Sequence, residues 1–171
     1  MPAMISIRPR AIWMALAAAS ATAVAVSFFL TEWRLLEACH LCIFQRLLFM
    51  LLVVLSVVAA LAATHLLGRL VGVMAAAVAA LGIGIAAYQS RLQRQAVDSL
   101  FSCTGEELGP LERLVEWLGG HWPALFMPSG FCEDPGAVFF GLSLANWTLI
   151  VFALCLVAAA WALWLGWRRP V

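Results

Sequence analysis

The sequence predicts an all-α membrane protein, a bundle of four transmembrane helices with a long loop between the third and fourth helices. The chain has 171 residues, of which 65% are hydrophobic and only 11% are charged, and its mean hydropathy is +1.00. Soluble domains carry about 25% charged residues. Four stretches are apolar over about 20 residues, the length that a helix needs to cross a bilayer. We expect one membrane domain over residues 1–171.

Only one of the four predicted spans contains a charged residue. They lie at about residues 11–30, 43–63, 70–90 and 146–167. The second span contains Arg46 near its start, and a long arginine side chain can place its charge at the membrane surface. Because no water satisfies backbone groups within lipid, these spans should be helices.

The N-terminus has some features of a signal peptide. Arg8 and Arg10 precede an alanine-rich run with Ala21-Thr22-Ala23 as a passable cleavage site. The run is longer than the apolar region of a usual signal peptide, and three more spans follow it. We therefore expect an uncleaved first helix.

Arginines predict the orientation of the bundle. The two termini and the connection after the second span share one side, which holds no acidic residue. Its arginines are Arg8, Arg10, Arg69, Arg168 and Arg169. Since arginine-rich connections stay in the cytoplasm, both termini should be cytoplasmic. Segments 31–42 and 91–145 would then be the outer loops, periplasmic in a bacterium. The chain shows no basic stripe of the kind that binds nucleic acid.

The long outer loop contains one amphipathic stretch. Apolar residues recur at helical spacing between Leu111 and Gly120, with charged residues on the other face. Such a helix can lie in the membrane interface, or it can be a short element packed on the bundle. The pattern leaves both alternatives open.

Four of the five cysteines fall in the outer segments. Cys39 and Cys42 form a C-x-x-C before the second span, Cys103 and Cys132 lie in the long loop, and Cys155 lies within the fourth span. If the cell is bacterial, the outer compartment is oxidising. Four cysteines allow three pairings, and the sequence cannot choose among them. A bond between Cys39 and Cys42 is sterically natural and would leave Cys103 with Cys132.

The C-x-x-C fits electron transfer better than other kinds of site. A haem attachment motif needs histidine directly after the second cysteine, whereas Ile43 follows Cys42. Zinc is weakly supported, because the loop cysteines do not form a second C-x-x-C. A structural staple remains a serious alternative for Cys103 and Cys132. It is weaker for Cys39 and Cys42, because a two-residue loop restricts the unfolded chain little.

The surroundings of Cys42 favour a reactive thiolate and a lipid-soluble acceptor. Cys42 falls in the first turn of the second helix, where unpaired N–H groups and the helix dipole stabilise negative charge. Arg46 follows four residues later on the same face. The G-x-G-x-x-A match, with its glycines at Gly82 and Gly84, lies inside an apolar helix, so both glycines indicate close helix packing rather than a dinucleotide site. A membrane quinone meets the need for an acceptor, with Arg46 stabilising negative charge on its oxygen.

An ordered set of motifs extends over nearly the whole chain. C-x-x-C-I-x-x-R opens the second span, and two cysteines follow the third. The long loop adds Glu116-Trp117-Leu118, Trp122-Pro123, Ser129-Gly130-Phe131-Cys132, Phe140-Gly141-Leu142 and Trp147. In this order the motifs resemble those of the DsbB family of bacterial disulfide bond formation proteins.

The resemblance implies a fold, an activity and a role for each site residue. The chain would be a multi-pass enzyme of the bacterial inner membrane, a protein-dithiol:quinone oxidoreductase that reoxidises the periplasmic thiol oxidase DsbA. Its acceptor would be ubiquinone, or menaquinone as a substitute. Cys103 would be attacked by the partner's thiolate, and Cys132 would be its disulfide mate. Cys132 would then exchange with Cys39, while Cys42 faces the quinone with Arg46 in support.

The chain departs from the family at one position. Well-studied members carry a histidine near the quinone just after the third span, whereas residues 88–95 here read YQSRLQRQ. Arg91, Gln93 or Arg94 could take that role, and we select Arg94 as the candidate. Cys155 matches no catalytic position of the family.

Two other functions remain open from the sequence. A vitamin K epoxide reductase-like protein is also a quinone-linked four-helix bundle, but its redox C-x-x-C lies late in the chain, on the last helix. A non-enzymatic tetraspan scaffold stapled by two disulfides would have no use for Arg46 beside Cys42.

Overall fold

Four long helices form the protein. The computed structural model describes residues 9–33, 37–63, 65–98, 109–132, 134 and 137–168. The long helices are α1 (Pro9–Trp33), α2 (His40–Leu61), α3 (Leu66–Asp98) and, last in the chain, α6 (Leu144–Trp167). Each contains a stretch that is long and apolar enough to cross a membrane. The predicted all-α fold with four spans is therefore confirmed.

The four helices pack as a closed bundle in which neighbours in sequence are neighbours in space. Helix α2 packs between α1 and α3, and α6 closes the ring against α3 and α1. At the centre, the rings of Phe49 and Phe152 stack with centroids 4.0 Å apart. A Cβ atom on Gly82 would lie 2.5 Å from the Phe152 ring, so the close packing expected for this glycine is confirmed. A Cβ atom on Gly84 would meet no atom within 4 Å, so the same expectation is wrong for Gly84.

Helix α3 extends well beyond its predicted span of 70–90. With 33 residues, it is about 50 Å long, whereas the hydrocarbon core of a bilayer is about 30 Å thick. The apolar pattern ends near Ser90, but the polar residues that follow continue the helix to Asp98. The last turns of α3 therefore stand at the end of the bundle where α2 begins, which we call the cysteine end.

The long connection between α3 and α6 contains two short helices and a hairpin. These are α4 (Pro110–His121), α5 (Pro123–Phe126), and the antiparallel strands β1 (Val138–Phe139) and β2 (Leu142–Ser143). Phe140 and Gly141, with φ of 53° and 77°, make the turn between the strands. Positive φ at both central residues is typical of a two-residue hairpin turn. No sequence motif predicted this hairpin.

Helix α4 packs on the bundle. Val115 is fully buried and forms a small core with Ile43 of α2 and Phe126 of α5. Leu111 and Leu118 pack against the same core, whereas Leu114 is 43% exposed. Of the two alternatives for this stretch, packing on the bundle is the one observed. This contact holds α4 and α5 beside the start of α2.

Candidate functional site

The C-x-x-C caps the N-terminus of α2. Cys39 is the N-cap residue with extended backbone (φ −80°, ψ 169°), and its sulfur accepts a hydrogen bond from the backbone N–H of Cys42 at 3.4 Å. The sulfur atoms of Cys39 and Cys42 lie 3.1 Å apart as separate thiols. Cys42 thus occupies the first turn of the helix, as the sequence predicted. The short distance is favourable for the disulfide between them, which stays a prediction.

The segment that carries Cys132 is held against the backbone just before α2. The Ala38 carbonyl accepts hydrogen bonds from the backbone N–H groups of Ser129 at 2.9 Å and Gly130 at 3.3 Å. A Cβ atom on Gly130 would lie 2.8 Å from the carbonyl oxygen of Glu37. Glycine is therefore needed for this approach, since real Cβ atoms do not come so close to backbone. The docked segment brings Cys132 to the C-x-x-C.

Cys39 lies between two other cysteines. Its thiol has hydrogen-bond contacts with Cys132 and with Cys42, and its side chain is only 2% exposed. The contact with Cys132, followed by the contact with Cys42 and by burial, raises the pKa of Cys39. Cys39 is therefore held as a protonated thiol in this arrangement. A route of sulfur atoms runs from Cys132 through Cys39 to Cys42.

Of the two remaining cysteines, only Cys155 lies among the described residues. Cys103 lies outside the described residues, so its predicted disulfide with Cys132 stays a prediction. Cys155 is buried within α6, where its sulfur lies 4.0 Å from the Ser20 hydroxyl. Cys155 is not among the residues that line the cleft described below.

A pair of buried glutamines lies beside the cysteine sulfurs. The Nε2 atom of Gln89, on α3, donates to the Cys42 sulfur at 3.1 Å and lies 3.5 Å from the Cys39 sulfur. The Oε1 atom of Gln89 accepts from Nε2 of Gln45 at 2.9 Å. Both side chains are almost fully buried, at 2% and 3% exposed. Burial of an amide requires such partners, because an unpaired one costs free energy.

Arg46 is buried in a polar niche between α1 and α5. Its Nε donates to the Ser27 hydroxyl at 3.1 Å, one Nη nitrogen donates to the Thr31 hydroxyl at 3.2 Å, and the other donates to the Leu125 carbonyl at 3.2 Å. The guanidinium also stacks on the Phe28 ring, 4.1 Å from its centroid. Among the described residues, the nitrogen that contacts Leu125 has that one partner, so one of its two N–H groups is available to a ligand.

An open cleft of about 190 Å³ lies against Cys42 and Arg46, between α1, α2 and α6. Most of its lining is apolar, with Arg46, Thr31 and Thr148 among its polar residues. A mostly apolar lining with a few polar groups is typical of sites for small organic molecules. The cleft would accept a flat apolar ring that carries hydrogen-bond acceptors.

Arg94 does not belong to this cleft. Its side chain is exposed near the end of α3, and it is not among the residues that line the cleft. No contact therefore supports its predicted role in cofactor binding. At the position nearest the sulfurs, α3 instead provides Gln89.

Sequence reasoning missed several polar residues of the site. Gln89 is a polar side chain at the edge of a span, a feature that marks a functional candidate. Ser27 and Thr31 are four residues apart on one face of α1, a spacing that could have indicated a shared partner. The carbonyl of Leu125 gave no sequence signal at all.

Comparison with known proteins agrees with this architecture. A family model described as "Disulfide bond formation protein DsbB" matches residues 9–162. The chain is 40% identical over 131 residues to disulfide bond formation protein B of Dechloromonas aromatica (strain RCB), covering 76% of this chain and 77% of the relative. It is 34% identical over 166 residues to the protein of the same name from Azoarcus sp. (strain BH72), covering 95% of each.

These matches separate the alternatives that the sequence left open. The family model covers nearly the whole chain, and the fold has the four apolar helices that a multi-pass membrane protein needs. The resemblance stated from the motifs is therefore confirmed, in preference to the vitamin K epoxide reductase-like alternative. The chain belongs to the DsbB family, as a membrane oxidoreductase of disulfide bond formation.

Proposed function

We propose that this protein oxidises a DsbA-like periplasmic thiol oxidase and passes the electrons to membrane quinone, as a protein-dithiol:quinone oxidoreductase. The observation that carries the proposal is the position of Cys39, which contacts Cys132 on one side and Cys42 on the other. Cys42 in turn lines the cleft. One continuous set of sulfur atoms thus extends from the long loop to an apolar cleft.

The first half of the reaction is thiol–disulfide exchange. A thiolate of the partner attacks Cys103 in a Cys103–Cys132 disulfide, and the second partner thiol then releases Cys103, so the partner leaves as a disulfide. The freed Cys132 thiolate attacks Cys39 of a Cys39–Cys42 disulfide, and Cys42 leaves as a thiolate. The Cys103 thiolate then attacks Cys132 in the Cys132–Cys39 mixed disulfide, which restores the Cys103–Cys132 disulfide and releases Cys39. Two electrons and two protons have then moved from the partner's dithiol to Cys39 and Cys42.

The cleft supplies what quinone binding requires. Apolar side chains of α1, α2 and α6 exclude water, and the Arg46 side chain lines the same space. A bound ubiquinone, or menaquinone, would accept two electrons and two protons and so restore the Cys39–Cys42 disulfide. Arg46 is held in place by α1 hydroxyls, so its charge needs no reorientation when negative charge develops nearby.

The orientation of the chain belongs to the same proposal. The protein lies in the bacterial inner membrane with both termini in the cytoplasm, and its cysteine end faces the periplasm. Five arginines and no acidic residue on the opposite side support this arrangement. The cysteines would then face the oxidising compartment, where a thiol oxidase partner operates.

The direct test is quinone consumption by the purified full-length protein with a reduced DsbA-like oxidase as donor. The wild-type chain should consume one quinone for each partner disulfide formed, and Cys42→Ser should stop consumption. Cys155→Ser is the matched control and should retain the wild-type rate, because Cys155 is buried away from the cleft. Wild-type turnover by Cys42→Ser would contradict the proposal, and so would a wild-type chain that oxidises the partner without consuming quinone.

A further inference from the structure

Gln89 contacts the Cys42 sulfur but does not line the cleft. Cys42 and Gln45 line the cleft, whereas Gln89 is not among its lining residues. The Gln89 amide nitrogen lies 3.1 Å from the Cys42 sulfur, and its side chain is 2% exposed. Cys42 therefore contacts a buried amide and also lines a mostly apolar cleft.

Gln45 fixes the direction of that amide. Its Nε2 donates to Oε1 of Gln89 at 2.9 Å. With its oxygen engaged, Gln89 must turn its N–H groups toward the sulfurs. A hydrogen bond accepted at the oxygen also polarises the amide, which makes its N–H groups better donors.

Arg46 does not provide this contact. Its N–H groups donate to Ser27, Thr31 and the Leu125 carbonyl, and among the described residues no Arg46 hydrogen bond to a sulfur is present. Gln89 therefore provides a side-chain N–H that points directly at the Cys42 sulfur. Arg46 contributes its charge at longer range.

We infer that Gln89 is a catalytic residue that stabilises the Cys42 thiolate through an N–H···S hydrogen bond, and that Gln45 is the positioning residue that orients it. The inference rests on the proposed function, in which Cys42 leaves as a thiolate. A hydrogen bond to a charged acceptor is stronger than one to a neutral acceptor. The amide therefore favours the thiolate over the corresponding disulfide sulfur, and so favours the reduced form of the C-x-x-C.

An amide in this position has a second consequence. It carries no titratable proton, so its contribution to thiolate stability is the same across the working pH range. Protons that reach the cleft during turnover must therefore come from another group or from water. Gln89 holds the charge of Cys42 but does not transfer a proton.

The test uses reduced full-length protein in detergent, without quinone and without a partner. Cys42 is alkylated with iodoacetamide at one fixed pH, low enough that the thiolate is the minor form in every variant, and the modified peptide is quantified by mass spectrometry. Gln89→Met keeps the length of the side chain but removes both N–H groups. We expect its Cys42 alkylation rate to fall about tenfold, the size of one hydrogen bond to a charged group. At a higher pH, where Cys42 is mainly thiolate in every variant, the equilibrium with dithiothreitol should shift by a similar factor toward the Cys39–Cys42 disulfide.

Gln93→Met is the matched control. Gln93 is a buried glutamine one turn further along α3, and it bonds to Ser143 and to the Asp134 carbonyl rather than to sulfur. Its substitution should leave Cys42 alkylation and the dithiothreitol equilibrium at wild-type values. Equal losses in Gln89→Met and Gln93→Met would overturn the inference, because the effect would then be general to α3. Wild-type values in Gln89→Met would also overturn it.

Gln45→Met decides the question if Gln89→Met does not fold. It leaves the Gln89 amide in place but removes the partner that orients it, so a smaller change in the same direction is expected. Wild-type alkylation and equilibrium in Gln45→Met would then overturn the inference. Both readouts omit quinone, so they are separate from the proposed function, whose failure would appear as a wild-type chain that consumes no quinone with its partner.

Discussion

The two halves of the helical bundle differ in what they bury. Around Phe152 the interior is apolar, and the buried polar side chains described there are the serines Ser20 and Ser56. At the cysteine end the buried polar side chains are Gln45, Arg46, Gln89, Ser90, Gln93 and Ser143. Burial of polar groups in a membrane bundle is costly unless each has a partner. The concentration of partnered polar groups at one end shows where the fold gives up apolar packing to hold reactive groups.

The largest effect is expected when the buried cation at the cysteine end is removed. Arg46→Met should reduce quinone turnover about 100-fold or more, the size expected when a preorganised electrostatic contact is lost. The loss of turnover should be larger than any loss of thermal stability can explain. Arg94→Met should stay close to wild type, because the Arg94 side chain is exposed outside the cleft. Turnover measured with a reduced partner checks both, and a comparable loss in Arg94→Met would restore its predicted role.

In the apolar half, a substitution should reduce stability strongly and the rate of turnover only slightly. Phe152→Ala removes the ring that stacks on Phe49 and packs on Gly82. The resulting cavity should destabilise the protein by about 3 to 5 kcal/mol. Thermal or denaturant unfolding in detergent measures this loss. The rate per folded molecule should remain within a few-fold of wild type, and a selective loss of turnover without destabilisation would contradict the division between the halves.

A smaller effect should follow from the docking of the Cys132 segment. Gly130→Ala places a Cβ atom against the backbone of Glu37, so the segment must shift and Cys132 must move from Cys39. Exchange between Cys132 and Cys39 should slow about tenfold, since misplaced reacting groups lose proximity. Acid trapping of the mixed disulfide measures the rate. Gly120→Ala is the control, because a Cβ atom there would meet nothing within 4 Å.

The smallest effect is expected at the outer surface of α4. The Nε2 atom of His40 and a carboxylate oxygen of Glu116 lie 3.9 Å apart, and the Glu116 side chain is 47% exposed. Exposed pairs of this kind contribute about 0 to 1 kcal/mol. Glu116→Gln should therefore leave the free energy of unfolding within about 1 kcal/mol of wild type and turnover within twofold. A large loss of either would show that α4 depends on this pair.

The sequence predicts the bundle well because span length and charge are strong local signals. The four apolar stretches become four long helices, and the arrangement of Cys39 and Cys42 at the cap follows from their place before an apolar run. The sequence does not predict the end of α3, because polar residues can end a membrane span while the helix itself continues. The hairpin at residues 138–143 is missed because its strands have two residues each.

The interior of the site is harder to predict for a physical reason. The contact between Cys132 and Cys39 joins residues far apart in sequence. The residues around one cysteine do not indicate that the other lies beside it. Gln89 resembles an ordinary polar residue at the membrane edge until α2 places two sulfurs beside it. Serine and threonine hydroxyls in apolar helices often bond to their own backbone, as Thr22 does to the Ala18 carbonyl. The four-residue spacing of Ser27 and Thr31 was therefore only a weak signal of a shared partner such as Arg46.

The hydrogen bond from Arg46 to the Leu125 carbonyl joins the cleft to the long connection between α3 and α6. Leu125 belongs to α5, in the connection that presents Cys132, while Arg46 faces the cleft. A docking protein that lifts α5 must break one bond of a buried cation, which frees a donor for whatever occupies the cleft. If the proposed partner displaces α5 and the proposed quinone fills the cleft, both events would act on this one donor, and each would bias the other by the same free energy.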